Sequence, residues 1–145
     1  MAKSIDVKMD LAAQVAKAVD SYGEQMKKKV QKVGRQCAKS CCDEIKENAS
    51  AKLSKGRSGE YERGWKVKTA EDSSAGYGFI VYNKDHPGLT HLLEKGHVGR
   101  NQAGTWGRVR AYPHIEEPGD KWAREYEGRV TDEINKIKLG GNNGR

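Results

Sequence analysis

The chain has 145 residues, with 27 Lys and Arg against 20 Asp and Glu for a formal charge of +7, and only 35% of its residues are apolar. That length fits one domain able to bury about 68–70% of the surface its unfolded form exposes, while a mean hydropathy of −0.91 reserves much of the surface for solvent or for a partner. No run of roughly 18 apolar residues occurs and the first residues lack an apolar segment of the secretory kind, so a membrane span is excluded and the expectation is a chain made and kept in a cytoplasm.

From Asp10 the apolar residues Leu11, Val15, Val19, Tyr22, Met26, Val30, Val33, Cys37, Cys41, Ile45 and Ala49 recur at steps of three and four. This predicts a helix from an Asp10 N-cap to about Ser50, broken near Gly23. Gly34 inside it costs roughly 1 kcal/mol relative to Ala, which points to a close neighbour there. On the helical wheel Met26, Val30, Val33, Cys37 and Cys41 share one face, and Lys28, Lys32, Arg35 and Lys39 line the opposite one. That basic line reads first as a solvated face and second as a polyanion-facing ridge. Cys37, Cys41 and Cys42 crowd onto one helix without disulfide geometry or a second ligand pair at zinc-finger spacing, so they read as reduced thiols, with Cys42, nearer the basic face, the most reactive if the helix is exposed there.

Leu53 to Gly64 contains three glycines and reads as a loop. Trp65, Val67 and Thr69 alternate with Lys66, Lys68 and Ala70, and Tyr77, Phe79 and Val81 with Gly78, Ile80 and Tyr82, which predicts an antiparallel hairpin packed on the long helix. Asp85-His86-Pro87-Gly88 is a turn with Pro87 at the first helical position, after which Leu89, Leu92 and Leu93 occupy one face of a short helix ended by Gly96. His97 to Arg108 is expected to be an extended surface loop anchored by Trp106, and Val109 to Tyr112 a third strand. Asp120 then caps a last helix whose stripe is Trp122, Tyr126, Val130, Ile134 and Ile137, up to Gly140. The fold class is α+β: a long N-terminal helix, a small antiparallel sheet of about three strands, a short middle helix and a C-terminal helix, forming one domain over residues 1–140 with a flexible tail at 141–145.

Three of the four histidines, His91, His97 and His114, lie near Glu94 in the stretch Thr90 to Pro118. A metallohydrolase would use them as ligands, yet there is no HExxH run, no clustered carboxylate set and no histidine pair at i+4 spacing. His91 and Glu94 instead read as a surface pair on the short helix. Phosphate-binding glycine loops and the serine-hydrolase elbow are also absent, so no catalytic, cofactor or metal residue is assigned. Arg100, Arg108, Arg110 and Trp106 have the chemistry of a nucleic-acid surface, without a groove-reading motif beside them.

The runs Ser58-Gly59-Glu60-Tyr61-Glu62-Arg63-Gly64-Trp65-Lys66-Val67-Lys68, then His91-Leu92-Leu93-Glu94-Lys95-Gly96-His97, then Gly107-Arg108-Val109-Arg110-Ala111-Tyr112-Pro113-His114-Ile115 resemble the small tail-component, or tail-completion (neck), family of long-tailed bacteriophages. The resemblance covers residues from about 8 to about 135. Lys95 stands where the family usually has an aromatic residue, and the segment after Pro113 is one residue longer and carries Gly119 in place of Ala, which points to a looser start of the last helix. What the resemblance implies is a non-enzymatic virion protein forming a homo-oligomeric ring, six copies being favoured, between connector or stopper proteins and the tail terminator or tail tube. DNA passing nearby is a further partner under this reading, and no membrane is involved. With the loops at 53–64 and 97–108 it places Trp65, Leu92, Glu94, Trp106, Arg108 and Arg110 near subunit contacts. Six copies at +7 each carry +42, which calls for acidic surfaces on a neighbour. The alternative is a small basic nucleic-acid-binding protein using Lys28, Lys32, Arg35 and Lys39.

Overall fold

The computed structural model describes residues 4–11, 22–53, 59–70, 78–100 and 104–143. Its elements are strand β1 (Val7–Asp10), helix α1 (Glu24–Leu53), the one-turn helix α2 (Glu60–Arg63), strands β2 (Trp65–Thr69) and β3 (Gly78–Asn83), helix α3 (Pro87–Lys95), strands β4 (His97–Arg100) and β5 (Trp106–Val109), and helix α4 (Glu116–Asn143). The α+β class holds: a long and a C-terminal helix cover a three-stranded antiparallel sheet ordered β1-β3-β2, with β4 and β5 as a separate two-stranded ribbon.

The predicted break at Gly23 is present, because its φ of 77° is a conformation that costs a side chain but not glycine, and α1 begins one residue later. The α1 stripe then buries Met26, Val30, Cys37, Cys41, Ile45 and Ala49 against the sheet and α4. Gly34 has the close neighbours its position demanded. A Cβ there would collide with the Phe79 ring and come within 2.8 Å of the Tyr126 ring, and these two rings meet edge to face at 6.2 Å. One glycine thus lets α1, β3 and α4 converge.

The β2–β3 hairpin forms in the register Trp65↔Asn83, Val67↔Val81 and Thr69↔Phe79, burying Trp65, Phe79 and Val81 on the α1 side. The turn assigned to Ala70 through Gly76 lies, apart from Ala70, outside the described residues. The third strand is β1 rather than the predicted Val109–Tyr112, and it pairs Val7↔Val81 and Met9↔Phe79. Ile5, Val7, Met9 and Leu11 alternate with polar residues at a period of two, a signal obscured by extending the helical period back to Leu11. Asp10 is therefore the last residue of a strand, paired with Gly78, and not a helix N-cap. The expected helical residues 12–21 lie outside the described residues.

Three further boundaries differ from expectation. Part of the 53–64 loop is helical: Leu53 ends α1, and α2 follows Gly59, whose φ is 84°, with Tyr61 and Glu62 buried. The 97–108 loop is largely the β4–β5 ribbon, in the register His97↔Val109, Val98↔Arg108, Gly99↔Gly107 and Arg100↔Trp106. Its glycines and charges carry no apolar alternation that would mark these strands in the sequence. The last helix starts at Glu116, four residues before Asp120, and runs past Gly140 to Asn143. Pro118 is tolerated because the first-turn N–H groups of a helix have no internal acceptor to lose. Among the described residues no helix is long and apolar enough to cross a membrane.

Candidate functional site

The stretch from Thr90 to Pro118 folds as two parts with different exposures: a buried junction between α3 and the start of α4, and the β4–β5 ribbon, which stands in solvent. At the junction Glu94, only 4% exposed, points from the last turn of α3 into the N-terminus of α4. Its Oε1 accepts the backbone N–H groups of His114 at 2.7 Å and Ile115 at 2.9 Å, and its Oε2 accepts that of Glu116 at 3.0 Å. A carboxylate at this point satisfies donors that α4 itself cannot, and meets the positive end of the helix dipole. Glu94 is a helix cap supplied from another helix. The expected His91–Glu94 surface pair is not what forms, because both Glu94 oxygens are committed to the backbone.

Around the cap, Tyr112 N–H donates to the Leu93 carbonyl at 2.7 Å and Lys52 Nζ donates to the Pro113 carbonyl at 2.5 Å. The start of the last helix is thus pinned from α1 and α3, and the looser start expected from the extra residue is replaced by a tightly bonded one. Lys95, the departure from the family pattern, forms an ion pair with Glu116 at 2.6 Å. That hydrogen bond holds the Lys95 ammonium above its ordinary pKa.

His114 lies directly behind Glu94. Its Nδ1 is 2.7 Å from the Tyr112 carbonyl and its Nε2 is 2.8 Å from the Tyr61 hydroxyl. A neutral ring protonated on Nδ1 satisfies both, donating to the carbonyl and accepting from Tyr61. Burial pushes the His114 pKa down, against the opposing pull of the Tyr112 carbonyl and Glu94. Tyr61, Trp65 and His114 pack edge to face with centroids 5.6 to 6.4 Å apart. Carboxylate, imidazole and hydroxyl stand in the order of a hydrolytic triad, yet all three are buried and Glu94 Oε1 is 3.3 Å from Nδ1. Their geometry serves to join α2, α3 and α4.

The residues expected near subunit contacts therefore separate. Trp65 is 0% exposed and Glu94 belongs to the cap, so both serve the fold of the single chain. Leu92 is half-buried on α3. Trp106, Arg108 and Arg110 are exposed, and Arg108 Nη2 reaches the Lys95 carbonyl at 3.4 Å. Because Val98 faces Arg108 across the ribbon and Trp106 is two residues from Arg108, these three share one face. Val98 is 63% exposed and Trp106 65%, leaving these two apolar side chains largely in water.

Lys28, Lys32, Arg35 and Lys39 are all exposed along α1. Arg35 and Lys39 also line a cleft of about 220 Å³ with Val67, Thr69 and Phe79, whereas the Lys68 ammonium lies over the Tyr82 ring, 4.6 Å from its centroid, on the sheet face away from α1. The cysteines are free and buried. Desolvation pushes the Cys41 thiol up to about 12 and raises those of Cys37 and Cys42. The exposure on which the reactivity of Cys42 depended is not met, since its side chain is buried. Also missed from the sequence is Glu44, which holds Lys121 at 2.9 Å and Trp122 Nε1 at 3.0 Å and clasps α1 to α4. Nothing in the spacing of these residues marks the pair.

A sequence model of the family described as "Bacteriophage HK97-gp10, putative tail-component" matches residues 13–96, more than half of the chain. The matched region holds α1, the β2–β3 hairpin and α3 up to Gly96, and stops before the ribbon and α4. No curated protein and no solved structure matches the chain.

Proposed function

The chain belongs to the HK97 gp10-like family of bacteriophage tail components, and from that membership we propose that it is a non-enzymatic virion structural protein of the head–tail junction. It assembles as a homo-oligomeric ring, built from subunits made in the host cytoplasm, and sits between connector or stopper proteins and the tail terminator or tail tube. The observation that carries this reading is the β4–β5 ribbon. It presents Val98 and Trp106 to solvent beside Arg108, and a two-stranded ribbon has little stability of its own until its face is packed. The Glu94 cap and the Tyr61–His114 cluster supply the rigid base on which that element stands.

Mass photometry of the purified chain, alone and with its connector and tail neighbours, tests this together with mass spectrometry of the virion. The expected results are a discrete multimer and a fixed copy number in particles. A protein that stays monomeric with those neighbours and is absent from virions would overturn the reading.

A second reading has its own observation in the basic line of α1, where Lys28, Lys32, Arg35 and Lys39 are all exposed. In it the chain contacts the phosphates of duplex DNA through this basic face. About three phosphate contacts give a slope near −3 in log affinity against log salt. Failure to bind duplex DNA at low ionic strength would remove it.

A further inference from the structure

We propose that copies of this chain join head to tail, the β4–β5 ribbon of one docking into an acidic-rimmed apolar groove between β1 and the start of α4 of the next. The inference rests on the homo-oligomeric reading above and specifies the contact that builds it. The groove has a volume of about 300 Å³. Its floor is apolar, from Val7, Ile115 and Ala123, and its rim carries Asp6, Glu116 and Asp120. Among the described residues Lys8 is the one cation in the lining, so these residues carry a net charge of −2 on a chain whose total is +7. Glu116 is already engaged by Lys95 of the same chain, which leaves Asp6 and Asp120 to meet an incoming cation.

The occupant is identified by the ribbon's own chemistry. Val98 and Trp106 bring apolar surface, an aromatic side chain alone burying about 150–250 Å², and Arg108 on the same face brings the complementary charge. Copies that each carry +7 repel one another over most of their surfaces, so association is guided to the place where a basic element meets an acidic one. Ribbon and groove are different surfaces, so the contact is heterologous, and repetition of a heterologous contact closes a ring when the rotation between copies allows it.

The full-length chain is compared by sedimentation velocity with Trp106→Ser, Arg108→Glu, Asp120→Arg and the combined Arg108→Glu, Asp120→Arg variant, circular dichroism confirming that each folds. All three positions are exposed. Each single substitution is expected to weaken association at least about tenfold, and the combined charge reversal to recover most of the loss. Mixing Trp106→Ser, which keeps its groove, with Asp120→Arg, which keeps its ribbon, is expected to give one-to-one dimers that grow no further. An assembling parent whose single variants assemble equally well would overturn this contact while leaving the ring reading intact. A parent that stays monomeric with its connector and tail neighbours would overturn the ring reading itself. Asp120→Arg assembling normally while Trp106→Ser does not would place the ribbon against some other surface and likewise overturn the proposal.

Discussion

Glu94 is the residue on which the arrangement of α3, the ribbon and α4 depends, and replacing it isolates the strength of the cap. Its carboxylate accepts three backbone N–H groups at 2.7, 2.9 and 3.0 Å. Hydrogen bonds to a charged group contribute about 1.5–3 kcal/mol each, and a carboxylate at a helix N-terminus adds about 0.3–1 kcal/mol or more when buried. The sum overstates the loss, because water enters the vacated site and the three bonds act as a unit. Glu94→Ala is therefore expected to cost about 3–5 kcal/mol, below that sum and at the upper end for a single substitution. Glu94→Gln keeps an oxygen facing His114 and Ile115 but turns an amide N–H toward the Glu116 N–H, and the expected cost is about 2–3 kcal/mol. For a chain of this size each kcal/mol lowers Tm by about 2–4 °C. Urea unfolding measures the loss, and amide exchange at residues 114–116 localises it. A Glu94→Gln protein within about 0.5 kcal/mol of the parent, with unchanged protection at those three amides, would refute the cap.

Other outcomes follow from the same geometry. Gly34→Ala improves helix propensity by roughly 1 kcal/mol yet destabilises by about 1–3 kcal/mol, because its Cβ meets the Phe79 and Tyr126 rings; Gly128→Ala, with open space at the same atom, raises stability by about 0.5–1 kcal/mol. Thermal melts of the two variants should move in opposite directions. Since burial lowers the His114 pKa below its unfolded value of 6.5, the unfolded chain binds the extra proton first, so stability is complete above about pH 6.5 and falls as the pH drops toward the folded value. Urea midpoints at pH 7.5 and 5.5 should show this fall, and His114→Gln should reduce it. The thiols of Cys37, Cys41 and Cys42, buried and raised, with Cys41 at about 12, should resist alkylation at neutral pH and react together on unfolding, a difference that mass spectrometry counts directly.

Periodicity alone determined the elements whose two faces differ in polarity. The apolar steps of α1, the alternation at Trp65–Thr69 and Gly78–Asn83, and the Pro87 and Gly96 punctuation of α3 each state where an element lies and which side is buried. Gly34, a glycine inside a helical stripe, by itself implies a close approach. The tertiary structure decided what depends on distant groups meeting. Glu94 caps a helix that begins 22 residues later, and Glu44 of α1 holds Lys121 and Trp122 of α4. The ribbon forms from backbone pairing that its glycine-rich sequence does not encode as a pattern. Thr90 to Pro118 is one continuous stretch of sequence, and folding divides it into a buried cap and an exposed ribbon. The physical reason is that a hydrogen-bond donor at a helix end, or a charge at a cleft, takes its meaning from the group brought against it, and local spacing contains no record of that group.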